Sequence, residues 1–115
     1  MISMEFGIID QFDPARDYGV YDPAPYHCIA LDDDLYMNDW YVRALDMPTC
    51  FQQANRPAFS FDRWGVTLIP PASLPRLAEI VRTDSRFGTR PELNALLAMI
   101  QRARREEKWM IHFGI

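Results

Sequence analysis

The sequence predicts an α+β fold, with a single small sheet of about four to five strands packed against two to three helices. Three observations predict it. Short apolar runs rich in strand-forming residues lie near both ends and in the middle of the chain, and helical patterns fall between them. A chain of 115 residues with 49% hydrophobic residues is long enough to bury one core. We therefore expect residues 1–115 to form a single domain.

Two strands and a long loop are predicted before the first helix. Residues 6–9 and residues 26–31 are short apolar runs of the kind that form strands. The intervening residues 10–25 contain turn-forming pairs such as Asp13-Pro14, together with several aromatic residues. A loop of this length is either functional or packed, and its aromatic side chains would hold it against the body of the protein.

Three helices are predicted, over residues 34–45, 73–83 and 90–107. The first is expected to begin at adjacent carboxylates, which suit a helix N-terminus. Its apolar side is expected to comprise Leu35, Tyr41, Val42 and Leu45. Ser73 is expected to cap the second helix, and Thr89 with Glu92 has the spacing of a capping box for the third. The third helix has the clearest apolar stripe.

The remaining strands are predicted in the middle and at the end of the chain. Residues 49–53 fit a strand or a continuation of the first helix, and residues 58–69 fit a hairpin-like pair or one broken strand. Residues 109–115 are too apolar for a loose tail and are expected to form a buried strand. Met4 is an alternative start to Met1, in which case the first three residues would be a frayed extension.

The charge of the chain is distributed unevenly. Residues 1–50 contain ten acidic and two basic residues, for a net charge of −8, whereas residues 51–115 contain ten basic and six acidic residues, for +4. The N-terminus lacks a signal-peptide core, and no apolar run approaches the roughly 20 residues that cross a membrane. We therefore expect a cytoplasmic protein without a membrane partner.

Candidate metal and catalytic residues have simpler structural explanations. The run Asp32-Asp33-Asp34 lacks the glycine and the terminal glutamate of a calcium-binding loop, so helix capping or an acidic recognition surface explains it better. The cysteines Cys28 and Cys50, with His27 and His112, do not lie in a recognisable nucleophile motif. We expect no catalytic residue, no metal and no cofactor.

Nucleic acid is not an expected partner. The basic residues at the end of the third predicted helix are interrupted by Glu106 and Glu107, and the chain as a whole is acidic. A solvated helix end accounts for this cluster.

Four segments together resemble a family of small bacterial proteins. They are residues 5–10 (EFGIID), 28–34 (CIALDDD), 65–74 (GVTLIPPASL) and 110–115 (MIHFGI). The family that they resemble is the immunity proteins of polymorphic and contact-dependent toxin systems, which bind and neutralise a cognate toxin domain inside the producing cell. The resemblance covers most of the chain. It implies a toxin protein as the partner, such as a nuclease, and it brings no catalytic motif.

An acidic surface suits such a partner, because a nuclease presents a basic substrate groove that the surface would both attract and occupy. We therefore expect the partner to contact the acidic first half of the chain and its aromatic loop, at Asp17, Tyr18, Tyr21, Asp22, Asp32, Asp33, Asp34, Asp39 and Trp40. One alternative is a small enzyme or ligand-binding domain with a site between residues 10–25 and the triple aspartate. Another is a housekeeping interaction subunit, such as a homodimer formed through an exposed strand edge.

Overall fold

A six-stranded antiparallel sheet forms the centre of the protein. The computed structural model describes residues 2–115. Its strands are β1 (Ser3–Ile9), β2 (Ile29–Asp32), β3 (Pro48–Phe51), β4 (Pro57–Phe59), β5 (Val66–Ile69) and β6 (Trp109–Phe113). They lie in the order β2-β1-β6-β5-β3-β4, and every neighbouring pair is antiparallel. The first and last strands of the chain therefore pair with each other inside the sheet.

Three helices cover one face of this sheet. They are α1 (Asp33–Arg43), α2 (Leu74–Arg82) and α3 (Pro91–Arg105). Side chains alternate along a strand, so Met4, Phe6 and Ile8 of β1 face the helices and join a buried cluster with residues of all three. Within residues 2–115, no helix is both long enough and apolar enough to cross a membrane. The predicted α+β class is confirmed.

The opposite face of the sheet is covered by residues 10–28. The ring of Phe12 stacks on Trp109 of β6 with centroids 3.9 Å apart, and Tyr26 is buried against the same face. Gly7 of β1 permits this close packing, because a Cβ at that position would lie 2.6 Å from the Cβ of Tyr26. The long loop is therefore packed. We call residues 10–28 the loop layer and the three helices the helix layer.

The strands differ from the prediction in number and in pairing. Six strands exceed the four to five expected. Residues 26–28 precede β2 instead of belonging to it, because Tyr26 ends a short 3₁₀ turn and His27 adopts a left-handed conformation with a φ of 52°. The predicted segment 58–69 forms neither a hairpin nor one broken strand, since β4 and β5 pair with opposite edges of β3.

The apolar side predicted for α1 is wrong except at Leu35, which packs against the core. The helix instead turns Tyr36, Met37 and Trp40 inward. The side chains left in solvent are Tyr41 and Val42 of the helix and Leu45 of the turn that follows it. A polar contact helps to fix this orientation of α1 about its own axis. The indole N–H of Trp40 donates a hydrogen bond of 2.8 Å to the buried Asp84.

The predicted caps of α2 and α3 are also wrong. The hydroxyl of Ser73 donates to the carbonyl of Pro48 at 2.5 Å instead of capping α2. Glu92 accepts a hydrogen bond of 2.9 Å from the hydroxyl of Tyr36, and Thr89 does not cap α3. These polar side chains tie the helices to other elements, which is a tertiary role that local spacing does not predict.

The N-terminal residues belong to the sheet, contrary to the alternative of a frayed extension. Ser3 pairs with Asp32, and the backbone N–H of Asp33 donates to the carbonyl of Ile2 at 2.7 Å. Met1 lies outside the described residues. Residues 2 and 3 therefore help to fix the position of the N-terminal end of α1.

Candidate functional site

The nine residues predicted to contact a partner are divided between the two layers, with the sheet between them. The loop layer contains Asp17, Tyr18, Tyr21 and Asp22. The start and the body of α1 contain Asp32, Asp33, Asp34, Asp39 and Trp40. The two groups therefore have to be considered separately.

Tyr18 is a packing residue and not a surface residue. It is buried against the sheet, its hydroxyl accepts a hydrogen bond of 2.9 Å from the N–H of Asp13, and its own N–H donates to the carbonyl of Gln52 at 2.8 Å. Asp17 beside it is exposed, and the N–H of Gly19 donates to its carboxylate at 2.8 Å, which lowers the pKa of Asp17. Tyr18 therefore cannot contact a partner in this fold, whereas the exposed side chain of Asp17 can.

Tyr21 and Asp22 are the open side chains at the tip of the loop layer. Tyr21 is 62% exposed, and one edge of its ring rests against Phe113 with centroids 5.3 Å apart. Its hydroxyl donates to Glu5, and this bond raises the pKa of Tyr21. Asp22 is exposed and makes no ion pair within 4.0 Å in residues 2–115.

The three consecutive aspartates have three different environments. The carboxylate of Asp32 accepts a hydrogen bond of 3.3 Å from the N–H of Leu35, which caps α1 and confirms the capping explanation for this residue. Asp33 is 0% exposed and accepts hydrogen bonds of 2.9 and 2.7 Å from the guanidinium of Arg63. The side chain of Asp34 is 66% exposed. Only Asp34 is therefore open to a partner.

Trp40 belongs to a buried polar cluster that fixes α1 in place. Asp84 accepts hydrogen bonds from the indole N–H of Trp40 at 2.8 Å and from the guanidinium of Arg86 at 2.7 Å. The hydrogen bonds from Arg86 hold the pKa of Asp84 well below its usual range. The same guanidinium lies 4.7 Å above the ring of Tyr36. Trp40 is therefore a structural residue that no partner reaches in this conformation.

The solvent-facing side of α1 interleaves acidic and apolar side chains. Its members recur mostly at three- or four-residue spacing, and Leu45 continues the series in the turn after the helix. We call these residues the α1 stripe: Asp34, Asn38, Tyr41, Val42 and Leu45. Asp39 and Asp46, which are both exposed, border this stripe. Arg43 points away from it toward α2, where its guanidinium donates to the carbonyl of Ile80 at 2.8 Å.

Trp64 is the surface residue that the prediction missed. It is 71% exposed and lies in residues 62–65, a turn that precedes β5. The guanidinium of the neighbouring Arg63 donates to the side-chain oxygen of Asn38 at 2.5 Å, which places the turn against the N-terminal half of the α1 stripe. The exposure of Trp64 could have been predicted from its neighbours Asp62 and Gly65, which are residue types typical of turns. A tryptophan within a turn does not lie on the buried face of a strand.

The cysteines and histidines do not assemble a nucleophilic site. Burial, with the nearby charge of Glu5, raises the pKa of the Cys28 thiol to about 12, and burial also raises the pKa of Cys50. A thiol with a raised pKa stays protonated and is a poor nucleophile. In the part of the chain that the structure describes, no three acidic, histidine or cysteine side chains are placed to hold a metal ion, and no pocket is found.

Comparison of the chain with known protein families, curated proteins and solved structures finds no match. The function is therefore inferred from the surface itself. The predicted residues that remain exposed are Asp17, Tyr21, Asp22, Asp34 and Asp39.

Proposed function

We propose that this protein is an immunity protein, which binds and neutralises a cognate bacterial toxin domain in the cytoplasm of the producing cell. The observation that carries the proposal is the solvent-facing side of α1, where the exposed carboxylates of Asp34 and Asp39 accompany the exposed apolar side chains of the α1 stripe. Such a surface offers both charge and apolar area to another protein.

The apolar members of the α1 stripe leave much of their surface in solvent, at 43% for Tyr41, 60% for Val42 and 54% for Leu45. Single exposed apolar residues are ordinary on a soluble domain, but a contiguous group of them is typical of a protein-interaction site. Tyr41, Val42 and Leu45 lie within about one helical turn of one another, and all three are exposed. Their clustering at the C-terminal end of α1 and in the turn that follows it therefore supports a protein partner.

The negative charge beside the α1 stripe is paired only in part, since Asp46 lies 3.7 Å from the guanidinium of Arg76. Asp39 makes no ion pair within 4.0 Å in residues 2–115, and Asp34 approaches Arg63 only to 3.8 Å. Arg63 is itself held by the buried Asp33 at 2.7 Å. The resulting field would attract a basic partner and accelerate its association.

A nuclease toxin fits this chemistry, because the groove that binds its phosphate-rich substrate has to be basic. An acidic protein surface seated in that groove would exclude the nucleic acid. Neutralisation then requires binding alone, without any catalytic group on the immunity protein.

The direct test is co-expression with the C-terminal domain of the protein encoded immediately upstream. We expect that domain alone to arrest growth of the host cell, and co-expression of this protein to restore growth and to yield a complex that co-purifies. A control that expresses an unrelated acidic protein of similar size should not restore growth. Continued arrest in the presence of well-folded protein would refute the proposal.

Charge reversal tests whether the acids of the helix layer steer the toxin. The double variant Asp34→Lys/Asp39→Lys should lower the association rate constant about tenfold at low ionic strength and less at high ionic strength, as stopped-flow measurements would show. Asp32 and Asp33 are left unchanged, because one caps α1 and the other is buried with Arg63.

The loop layer supplies a matched control for this variant. Asp17→Lys/Asp22→Lys changes the net charge by the same amount, and both residues are exposed on the other layer. We expect it to lower the association rate about twofold through the overall charge alone. Equal effects of the two double variants would show that association is steered by net charge and not by the surface of α1.

A further inference from the structure

We propose that Trp64 is the anchor of this interface and that it inserts into an apolar cleft on the toxin bordered by lysine or arginine side chains. This inference rests on the proposed function and identifies the chemistry of the partner's surface. Tryptophan is the residue type most enriched among those that dominate binding energy at protein interfaces.

Trp64 differs from the other two tryptophans in its exposure. Trp40 is fully buried in the helix layer, and Trp109 is covered by the stacked ring of Phe12 at 3.9 Å. Trp64 is 71% exposed, and its ring is not part of either buried cluster within residues 2–115. Burial of this ring against a partner would remove a large apolar area from water.

The turn that presents Trp64 is held by hydrogen bonds at both of its ends. The N–H of Asp62 donates to the hydroxyl of Thr67 at 2.8 Å, and the N–H of Gly65 donates to the carbonyl of Asp62 at 3.2 Å. The carboxylate of Asp62 also accepts a hydrogen bond of 3.3 Å from the N–H of Trp64 itself. The backbone around Trp64 is therefore already ordered before a partner arrives.

The C-terminal residues brace the same turn from the other side. The N–H of Gly114 donates to the carbonyl of Gly65 at 2.7 Å, and the N–H of Ile115 donates to the carbonyl of Arg63 at 3.0 Å. A Cβ on Gly114 would collide with that carbonyl, so only glycine permits this approach. An anchor on an ordered backbone loses less conformational entropy on binding than one on a mobile loop.

Arg63 does not make the surroundings of Trp64 basic. Its guanidinium lies 5.7 Å from the ring of Trp64, but the buried carboxylate of Asp33 binds it at 2.9 and 2.7 Å and neutralises its charge. The carboxylates of Asp34 and Asp62 remain nearby. The charge that the anchor presents is therefore acidic, which favours a basic rim around the cleft that receives it.

The anchor is continuous with the α1 stripe. Arg63 contacts Asn38 near the N-terminal end of the stripe, and the hydroxyl of Ser60 donates to the carbonyl of Tyr41 farther along at 2.8 Å. The segment that contains Trp64 thus runs beside α1. One partner surface can contact the indole and the exposed apolar side chains of the stripe together.

The binding experiment uses the full chain and the purified, catalytically inactivated toxin domain encoded upstream. Trp64→Ala should weaken the complex about 30-fold in isothermal titration calorimetry, mostly through faster dissociation. The matched control is Val20→Ala, because Val20 is similarly exposed but lies on the loop layer. It should change the affinity less than twofold. Circular dichroism should show that both variants fold.

A second measurement follows the indole directly. Labelling the protein with fluorotryptophan gives three fluorine resonances, one for each tryptophan, and Trp64→Phe assigns the one of interest. Addition of unlabelled toxin domain should shift the Trp64 resonance. It should also abolish the difference in the chemical shift of this resonance between water and heavy water, which marks a solvent-exposed fluorine. The Trp40 resonance should be unchanged, since Trp40 is buried already.

The outcomes separate the anchor from the proposed function. Tight binding of the wild type with equally tight binding of Trp64→Ala, and an unshifted Trp64 resonance, would overturn the anchor and leave the immunity function standing. Failure of the wild type to bind or neutralise the toxin would overturn both. A wild-type homodimer that Trp64→Ala dissociates would identify a second copy of the chain as the occupant and would also overturn the proposal.

Discussion

The helix layer and the loop layer bury the two faces of the same sheet by different means. Helices satisfy their own backbone hydrogen bonds, so the helix layer needs only an apolar side on each helix. The loop layer is irregular and is attached through aromatic rings, such as Phe12 stacked between Tyr18 at 5.6 Å and Trp109 at 3.9 Å. The loop layer therefore depends on a few specific contacts, whereas the helix layer depends on a broad core.

This difference is the reason for proposing that a partner binds the helix layer. The loop layer uses Phe12, Tyr18 and Tyr26 for its own attachment. In the helix layer, α1 is already fixed by Trp40 and its neighbours, and the α1 stripe remains free for a partner. A partner can bind the stripe without competing with the contacts that stabilise the fold.

Trp40→Ala should have the largest effect on stability. It removes a fully buried indole from contact with Phe6, at 6.2 Å between centroids, and leaves the buried Asp84 with one donor fewer. We expect the free energy of unfolding to fall by about 4 kcal/mol in urea titrations. Val42→Ala, two residues farther along the helix, should cost less than about 0.5 kcal/mol because Val42 is 60% exposed and alanine has the higher helix propensity. A similar loss in both variants would contradict the orientation described for α1.

His112, which lies on the helix-covered face of the sheet, should make the stability of the protein depend on pH. Its ring lies among Phe6 and Phe61 at 5.0 and 5.1 Å, and burial lowers its pKa to about 3. Because the pKa is lower in the folded state than in the unfolded chain, the unfolded chain binds a proton that the folded protein does not. The free energy of unfolding therefore keeps its full value above about pH 6.5, the pKa of histidine in the unfolded chain. It decreases as the pH falls below that value, by about 2 kcal/mol at pH 5.

Urea titrations between pH 7 and pH 5 would measure this loss. His112→Gln should be less stable than the wild type but should show a flatter pH dependence over that range. The matched control is His27→Gln, which removes the exposed histidine of the loop layer and shows whether the effect requires the buried ring. An unchanged slope in His112→Gln would show that other groups cause the acid sensitivity.

The sequence predicted those elements whose signals are local. The apolar spacing of Leu93, Leu96 and Ile100 predicted α3, and these residues are buried as expected. The apolar segments at both ends predicted the strands that became β1 and β6. The carboxylates before α1 predicted its N-terminus, where Asp32 forms the cap.

The errors arose where tertiary contacts override local pattern. The rotation of α1 accompanies a hydrogen bond from Trp40 to Asp84, a residue 44 positions away. The burial of Asp33 depends on Arg63, which lies 30 positions away. No spacing rule within either segment contains these contacts. The same limit concealed Trp64, because its exposure follows from a turn braced by the other end of the chain.

Gly7→Ala should destabilise the loop layer more than the helix layer. The added methyl group would press on Tyr26 and on the sulfur of Cys28, which lies 2.7 Å from the ideal Cβ position. Overpacking costs about 1–3 kcal/mol, and the better strand propensity of alanine offsets about 0.5–1 kcal/mol of it. The backbone carbonyl oxygen of Tyr26 also lies 2.8 Å from the ideal Cβ position and cannot rotate aside, so the cost falls at the upper end of this range. We expect a net loss of about 2 kcal/mol in urea titrations.

Hydrogen exchange would show where that loss falls. Amides of the loop layer should exchange faster in Gly7→Ala, whereas those of α1 and α3 should keep their protection, because the helices pack on the other face. Gly88→Ala is the matched control, since no atom lies within 4 Å of a Cβ at that position. Equal loss of protection in both layers would mean that the sheet transmits the strain and that the two coverings are not independent.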